Sequence, residues 1–420
     1  MLVPLLAFAQ KRIEERMNSK STSSPSSNGS VPSKEGAPVG YYDLSTHISR
    51  DIKLDYGNVL LVPGKMTSVT SRKLVNLICR IDFVRTRNSH YEGVPIMAAN
   101  MDGVGSFDMA DALIRHRIFT CLAKMHSEEN LIEFFSENPQ RRDHCAITVG
   151  LRQNDRKKFR NVHQRSGPIK FACLDVANGH TQRFVTFLED FRNEFPDVVI
   201  IAGNVVTPEQ TEILVKAGAD LVKVGIGGGS VCETRIKTGV GYPQFSAVLE
   251  CCQAAHEAGA RIVADGGCTC PGDVAKALAA GSSFVMLGGM FAGHKEGGGR
   301  IVSRRFNTGE INGEGKPILK EAKFVEFYGM SSQIANDKHF DGLQPWKTSE
   351  GREVLLPFKP SIDETVQDLL GGLRSTCTYL GAENLVDLPQ QARFVQCHDT
   401  HNRVFEDSPI SDHSISAMLI

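Results

Sequence analysis

Charge of one sign is what this 420-residue chain most plainly lacks: 47 Lys and Arg stand against 48 Asp and Glu, a formal net charge of −1. So balanced a chain has no global field to recruit nucleic acid or an anionic membrane, and any anionic ligand has to be held in a local basic pocket. Nor does any apolar stretch approach the roughly 18 to 20 residues needed to span a bilayer. Paired Cys-x-x-Cys spacings are absent, which removes zinc knuckles, and the 11 cysteines are odd in number and scattered, which argues against a disulfide framework. Free thiols in a reducing compartment fit this usage, so the expectation is a cytoplasmic protein with no membrane and no nucleic-acid partner.

The opening Met1–Phe8 is apolar without a basic lead and is followed by the charged stretch Lys11–Arg16, a pattern closer to a short amphipathic helix than to a secretory signal. The closing Met418-Leu-Ile420 is not the usual peroxisomal tripeptide. Residues 18–39 are dominated by Ser, Asn, Gly, Pro and Lys, too poor in apolar groups to offset the entropy of ordering. The expected organisation is a weakly ordered extension over 1–45, one catalytic domain over 46–408 and a tail over 409–420.

What is present is a regular alternation. Short, continuous, mostly aliphatic runs occur at Val94–Ala99, Ile118–Ala123, Cys145–Val149, Phe171–Val176, Val198–Ala202, Leu221–Ile226, Ile262–Asp265 and Phe284–Leu287. Runs of this kind mark strands covered on both faces, as in parallel sheets. Helical patterns lie between them; in one, Phe184, Phe187, Leu188 and Phe191 recur at i, i+3, i+4 and i+7 as a core stripe. The fold class is therefore α/β, a (β/α)8 TIM barrel whose last helix spans Thr365–Leu380. Residues 291–360 form a long flap between strand eight and that helix, with a hairpin or insertion from roughly Ser303 to Glu321.

Catalytic groups of such barrels sit on the loops after the strand C-termini, and phosphate sites favour the loops after strands seven and eight. Cys232 follows strand six in the glycine-dense run Gly225–Gln244, Asp265-Gly266-Gly267 ends strand seven and Gly288-Gly289 ends strand eight. All three converge on one mouth. Glycines let the backbone approach a ligand, and a thiol needs only modest help to act as a nucleophile at neutral pH.

At this point the chain resembles the guanosine monophosphate reductases, within the inosine monophosphate dehydrogenase/reductase superfamily. The segments that carry the resemblance are Pro95–Asp102, Leu174–Gly179, the cysteine loop through Gln244, Asp265–Gly267, Val285–His294, Phe327–Ser332 and Gly371–Tyr379, within a match from about Asp51 to Phe405. The resemblance implies conversion of GMP to IMP and ammonia at the expense of NADPH. Cys232 would attack carbon 2 of the purine; Thr234 and Glu350, the latter in Thr348-Ser-Glu-Gly351, would carry the proton that the leaving amine needs.

It also implies that the nucleotide meets Asp265, Gly266 and Gly267, the backbone of Gly288, Gly289, Gly329, Met330 and Ser331, and Lys347 and Gly351. Exposed N–H groups of this kind suit phosphate, and Asp265 suits ribose hydroxyls. For the cofactor the implied residues are Lys124, Asp175, Val176, Ala177, Ile226, Gly227, Ser375, Thr376, Cys377 and Thr378, with Ser71 and Arg72 donated by a neighbouring subunit of a homotetramer. Lys124 and Arg72 offer charge for the extra phosphate of NADPH. Carbonyls of Gly227, Gly229 and Cys232, with Arg235 close by, would hold a monovalent cation, K+.

Three positions depart from the reductase pattern. Gly228 stands where proline is common, which predicts a more flexible loop; Glu233 replaces a threonine beside the nucleophile, where an inward carboxylate would raise the thiol pKa; and Lys347 replaces an arginine, keeping charge but losing a bidentate fork. Two rivals are weighed. IMP dehydrogenase usually carries regulatory modules after its second strand and a water-activating Arg-Tyr pair in the flap; here only residues 125–144 separate Lys124 from the run at Cys145, and Gly329–Pro357 holds no such pair. A guanine-nucleotide-binding regulator with impaired catalysis is the other, against which Cys232, Thr234 and Glu350 all stand.

Overall fold

The computed structural model describes residues 48–49, 51–86, 89–313, 315 and 317–398. The extension expected over 1–45 and the tail over 409–420 lie outside the described residues. By contacts the chain divides into Met1–Ile52 and Lys53–Ile420, and the elements below belong to the second unit.

Two short strands, β1 (Val59–Leu61) and β2 (Cys79–Asp82), come first. Then follow β3 (His90–Ala98), β4 (Ile118–Leu122), β5 (Cys145–Val149), β6 (Phe171–Asp175), β7 (Val199–Val205), β8 (Leu221–Val224), β9 (Arg261–Asp265) and β10 (Phe284–Leu287). Each of these is parallel to the next, and β10 pairs with β3 through Val285 and Ile96, closing an eight-stranded ring. Every residue of β4, β5, β8 and β10 is buried, which is why these strands read as continuous apolar runs rather than alternating ones.

The helices between the strands are α1 (Phe107–Ile114), α2 (Glu128–Glu137), α3 (Arg141–His144), α4 (Gln153–Arg165), α5 (Gln182–Glu194), α6 (Pro208–Lys216), α7 (Thr234–Thr238), α8 (Gln244–Glu257) and α9 (Pro271–Ala279). Several start on side-chain caps that satisfy orphan amides: Ser106 accepts from Met109, Ser127 from Asn130, Thr181 from Phe184 and Thr207 from Gln210. The stripe on α5 is core as expected, with Phe184, Leu188 and Phe191 fully buried and Phe187 packed at its edge.

An aromatic floor closes the amino-terminal end of the barrel. Phe119 lies edge-on to Phe171 at 4.9 Å, Tyr91 lies 5.0 Å from Phe284, and the Tyr91 hydroxyl donates to the carbonyls of Val94 and Arg117 at 2.8 Å. Two residues further along their strands, Cys121, Cys173 and Lys223 face one another in the next layer towards the mouth, following the two-residue period of side chains.

After β10 the excursion builds its own antiparallel sheet from β11 (Ile301–Ile311), β12 (Pro317–Tyr328) and β13 (Glu353–Pro357), with α10 (Gln333–His339) between the last two. Its first two strands are the expected hairpin. The helix that completes the barrel is α11 (Asp363–Leu380), followed by α12 (Leu388–Gln391) and β14 (Phe394–Gln396), which pairs antiparallel with β1. The β1–β14 ribbon and β2, which pairs antiparallel with the first half of β3, are not foreseen in the sequence reading, because strands of three or four residues carry no periodicity. Among the described residues no helix is long and apolar enough to cross a membrane.

Candidate functional site

Cys232, Thr234 and Glu350 meet at the mouth. The Cys232 thiol donates to Oγ1 of Thr234 at 3.3 Å, and the Thr234 hydroxyl donates to Oε2 of Glu350 at 2.8 Å. Thr234 is the first residue of α7, so its direction is fixed by the helix, and Cys232 is only half-buried. Glu350 is held by main chain on two sides: its carbonyl accepts from the Glu233 amide at 2.7 Å and its amide donates to the Ser331 carbonyl at 3.2 Å. Gly351 forms bridges to both Cys232 and Ser332, and the Arg352 guanidinium donates twice to the Ser230 carbonyl, at 3.0 and 2.7 Å.

Asp265, at the end of β9, accepts at Oδ2 from Asn204 at 2.9 Å and from Lys223 Nζ at 3.1 Å. Lys223 also donates to Oδ1 of Asp175, at the end of β6, at 2.5 Å. Burial alone would depress the Lys223 pKa, but the two carboxylates outweigh it and hold the ammonium well above the ordinary lysine value. Burial likewise pushes the Asp175 carboxyl up, yet Lys223 and Asn100 bring it below the usual range. Neither Lys223 nor Asn204 is among the residues singled out from the sequence; the only signal for Lys223 is a charge inside an apolar strand run.

The amides expected to meet phosphate lie near one another. Among the described residues the N–H groups of Gly288, Gly289, Met330 and Ser331 find no protein acceptor. The loop 230–231 passes between them: Oγ of Ser230 lies 2.5 Å from where a Cβ on Gly289 would fall, and the Val231 carbonyl 2.7 Å from the same point on Gly329. Bare N–H groups gathered on either side of one loop are the donor set a phosphate requires, and Ser230 is a neighbour the sequence reading missed.

The residues expected to meet the cofactor fall in two places. Lys124, Asp175, Val176, Ala177, Ile226 and Gly227 follow the carboxyl ends of β4, β6 and β8. The Lys124 ammonium lies 5.8 Å over the Phe340 ring and forms no ion pair among the described residues, so a cation and a set of main-chain groups stand available for an anionic dinucleotide. Ser375, Thr376, Cys377 and Thr378 do not join them. The turn of α11 that carries them adjoins the opposite end of the barrel, where the Tyr379 carbonyl accepts from Gly64 and the Glu383 carbonyl from Asn76, just before β2. Cys377 is wholly buried there, and burial pushes its thiol up to about 11. Ser71 and Arg72 lie on the same side, in the turn packed against α11.

Around the loop proposed for a cation, the Gly229 carbonyl accepts from the Cys232 amide at 3.0 Å, which leaves it one lone pair. The Arg235 guanidinium pairs with Asp55 at 3.3 Å and donates to the Tyr242 carbonyl, so only the Arg235 carbonyl is of the right sign for a cation, and it already accepts from Gly239. Gly228 is not in a left-handed conformation and a Cβ there would meet nothing closer than 3.5 Å. Glu233 contributes its amide to Glu350, and Lys347 is exposed, its ammonium 5.0 Å from the Trp346 ring.

The family model described as IMP dehydrogenase / GMP reductase domain matches residues 53–406. Over 362 residues the chain is 46% identical to GMP reductase 2 of Homo sapiens, covering 86% of this chain and 99% of that one. GMP reductase 1 of Mus musculus is 46% identical over 358 residues, with 85% and 99% covered. The GMP reductase of Aeromonas hydrophila is 47% identical over 359 residues, again with 85% and 99% covered.

Proposed function

The chain belongs to the IMP dehydrogenase/GMP reductase family, and from that premise we propose that it reduces GMP to IMP and ammonia with NADPH, through a covalent bond between Cys232 and carbon 2 of the purine. The observation that carries this reading is the unbroken hydrogen-bonded line from Cys232 through Thr234 to Glu350.

The thiol proton passes along that line to the Glu350 carboxylate as sulfur adds to carbon 2. The centre becomes tetrahedral, and the same line returns a proton to the amino group, which leaves as ammonia; an amide anion would be too poor a leaving group. What remains is a thioimidate. NADPH, when bound, supplies the hydride that this carbon takes up, and expulsion of the Cys232 thiolate gives IMP. The sum is GMP, NADPH and two protons giving IMP, NADP+ and ammonium.

Asp265 accepts from the ribose hydroxyls, and Gly266 and Gly267 follow it into the cleft. The amides of Gly288, Gly289, Met330 and Ser331, with Ser230, hold the phosphate. Lys124, Asp175, Val176, Ala177, Ile226 and Gly227 receive the cofactor at this mouth. Because Ser375–Thr378 lie with Ser71 and Arg72 at the far end of the barrel, both groups serve a neighbouring subunit's cofactor, which favours a homotetramer or another closed assembly. A monovalent cation such as K+ fits the spare lone pair of Gly229 with the carbonyls of Gly227 and Cys232. Free thiols agree with a cytoplasmic setting.

Purified protein given GMP and NADPH should oxidise the cofactor and release ammonia in equal amounts, and Cys232→Ser should bind GMP without turnover. Stable GMP binding with no turnover by the unaltered chain would favour a regulator instead, and NAD reduction with IMP would favour the dehydrogenase.

A further inference from the structure

We propose that Lys223 is a positioning residue that joins the substrate side of the mouth to the cofactor side, one ammonium holding both Asp265 and Asp175. The ligand assignments rest on the functional reading above; the lysine's own geometry does not.

Lys223 is the third residue of β8, and its side chain is only 3% exposed. An ammonium so far from water has three donors to satisfy and is costly to leave unpaired. It spends them on carboxylates from two different strands, β6 at 2.5 Å and β9 at 3.1 Å. To reach β6 it crosses the inner face of β7, and Gly203 on β7 makes room: a Cβ there would lie 2.7 Å from the Lys223 Cβ and 2.4 Å from its carbonyl oxygen. The strand between Lys223 and Asp175 thus carries no side chain beside the lysine.

A buried ion pair that only stabilised the barrel would have its carboxylates closed on all sides. These are open towards the mouth, with side chains 33% and 22% exposed. On Asp265 both protein donors, Lys223 and Asn204, converge on Oδ2, and among the described residues Oδ1 receives none. One oxygen is thus anchored and the other is presented. Without the shared ammonium the two carboxylates lose their common counter-charge and their fixed orientation together. Lys223 would thereby act on both ligands through the carboxylates it holds.

The test compares Lys223→Met, Asp265→Asn and Asp175→Asn in the full chain, using calorimetric titration with IMP and with NADP+ as probes, beside steady-state constants. Lys223→Met should weaken both probes in parallel, by about tenfold or more each, while Asp265→Asn weakens mainly IMP and Asp175→Asn mainly NADP+. Lys223→Met that leaves either probe's affinity unchanged overturns the proposal. Should that variant fail to fold, as judged by thermal denaturation, Lys223→Arg carries the test: the displaced charge must shift both affinities together, and a shift in one alone overturns it. Unaltered protein that binds both probes but never turns over GMP would sink the reductase reading while leaving this comparison decisive.

Discussion

The hydroxyl of Thr234 reaches Oε2 of Glu350 at 2.8 Å across 116 positions of sequence, while its oxygen receives the thiol proton of Cys232. One threonine therefore stands between nucleophile and carboxylate, and the proton leaving sulfur and the proton reaching the amine share a carrier.

Glu350→Gln keeps the size and a hydrogen-bonding group but removes the proton acceptor. Turnover should fall by about 10²- to 10⁴-fold, the usual worth of a positioned acid or base, with GMP affinity nearly unchanged. Thr234→Ser should keep most activity and Thr234→Val should match Glu350→Gln. Equal activity in the valine and serine variants, measured by NADPH oxidation, would break the relay.

The glycines of the cysteine loop should differ sharply. Gly227 has φ +82° and a Cβ there would lie 2.6 Å from Cγ of Arg235, whereas a Cβ on Gly228 would make only ordinary contacts, none closer than 3.5 Å. Gly228→Ala should fold with unchanged or slightly raised stability, by about 0.4–1 kcal/mol, since alanine restricts the unfolded chain. Gly227→Ala should lower both Tm and activity. Melting curves of the pair decide it, and similar losses in both would show that the loop needs the extra glycine at 228.

Asp102 gathers the excursion onto the barrel: Tyr328 donates to its Oδ2 at 2.7 Å, Lys338 at 3.4 Å, and His339 contacts the same oxygen. Burial raises its pKa, but the contacts from His339 and Tyr328 outweigh this and leave it below the ordinary aspartate value. A depressed folded pKa gives stability that is complete above the unfolded value, about 3.9, and is lost as pH falls through the folded one. Asp102→Asn should therefore cost about 1–3 kcal/mol near neutral pH, and its Tm should converge on the parent's in acid. A Tm gap that widens below pH 4 would reverse the sign and refute the account.

The barrel was legible because burial on both faces turns each strand into a continuous apolar run, and Cys145–Val149 and Phe284–Leu287 are read at their observed bounds. The Cys232, Thr234 and Glu350 set was legible through family resemblance, since nothing in local spacing links positions 234 and 350. Lys223 gives no local sign of its role, because its partners lie 48 and 42 residues away and only barrel closure brings them together. Ser375–Thr378 were grouped with Lys124 because sequence does not say which end of a barrel a helical turn reaches.

Gly351 bridges Cys232 on one side and Ser332 on the other. The carboxylate next to it is thus borne by the covering segment, and the thiol by the barrel loop. Thiol and carboxylate thus come from two separate stretches of chain, and their coupling lasts only as long as residues 350–352 rest on the barrel loop.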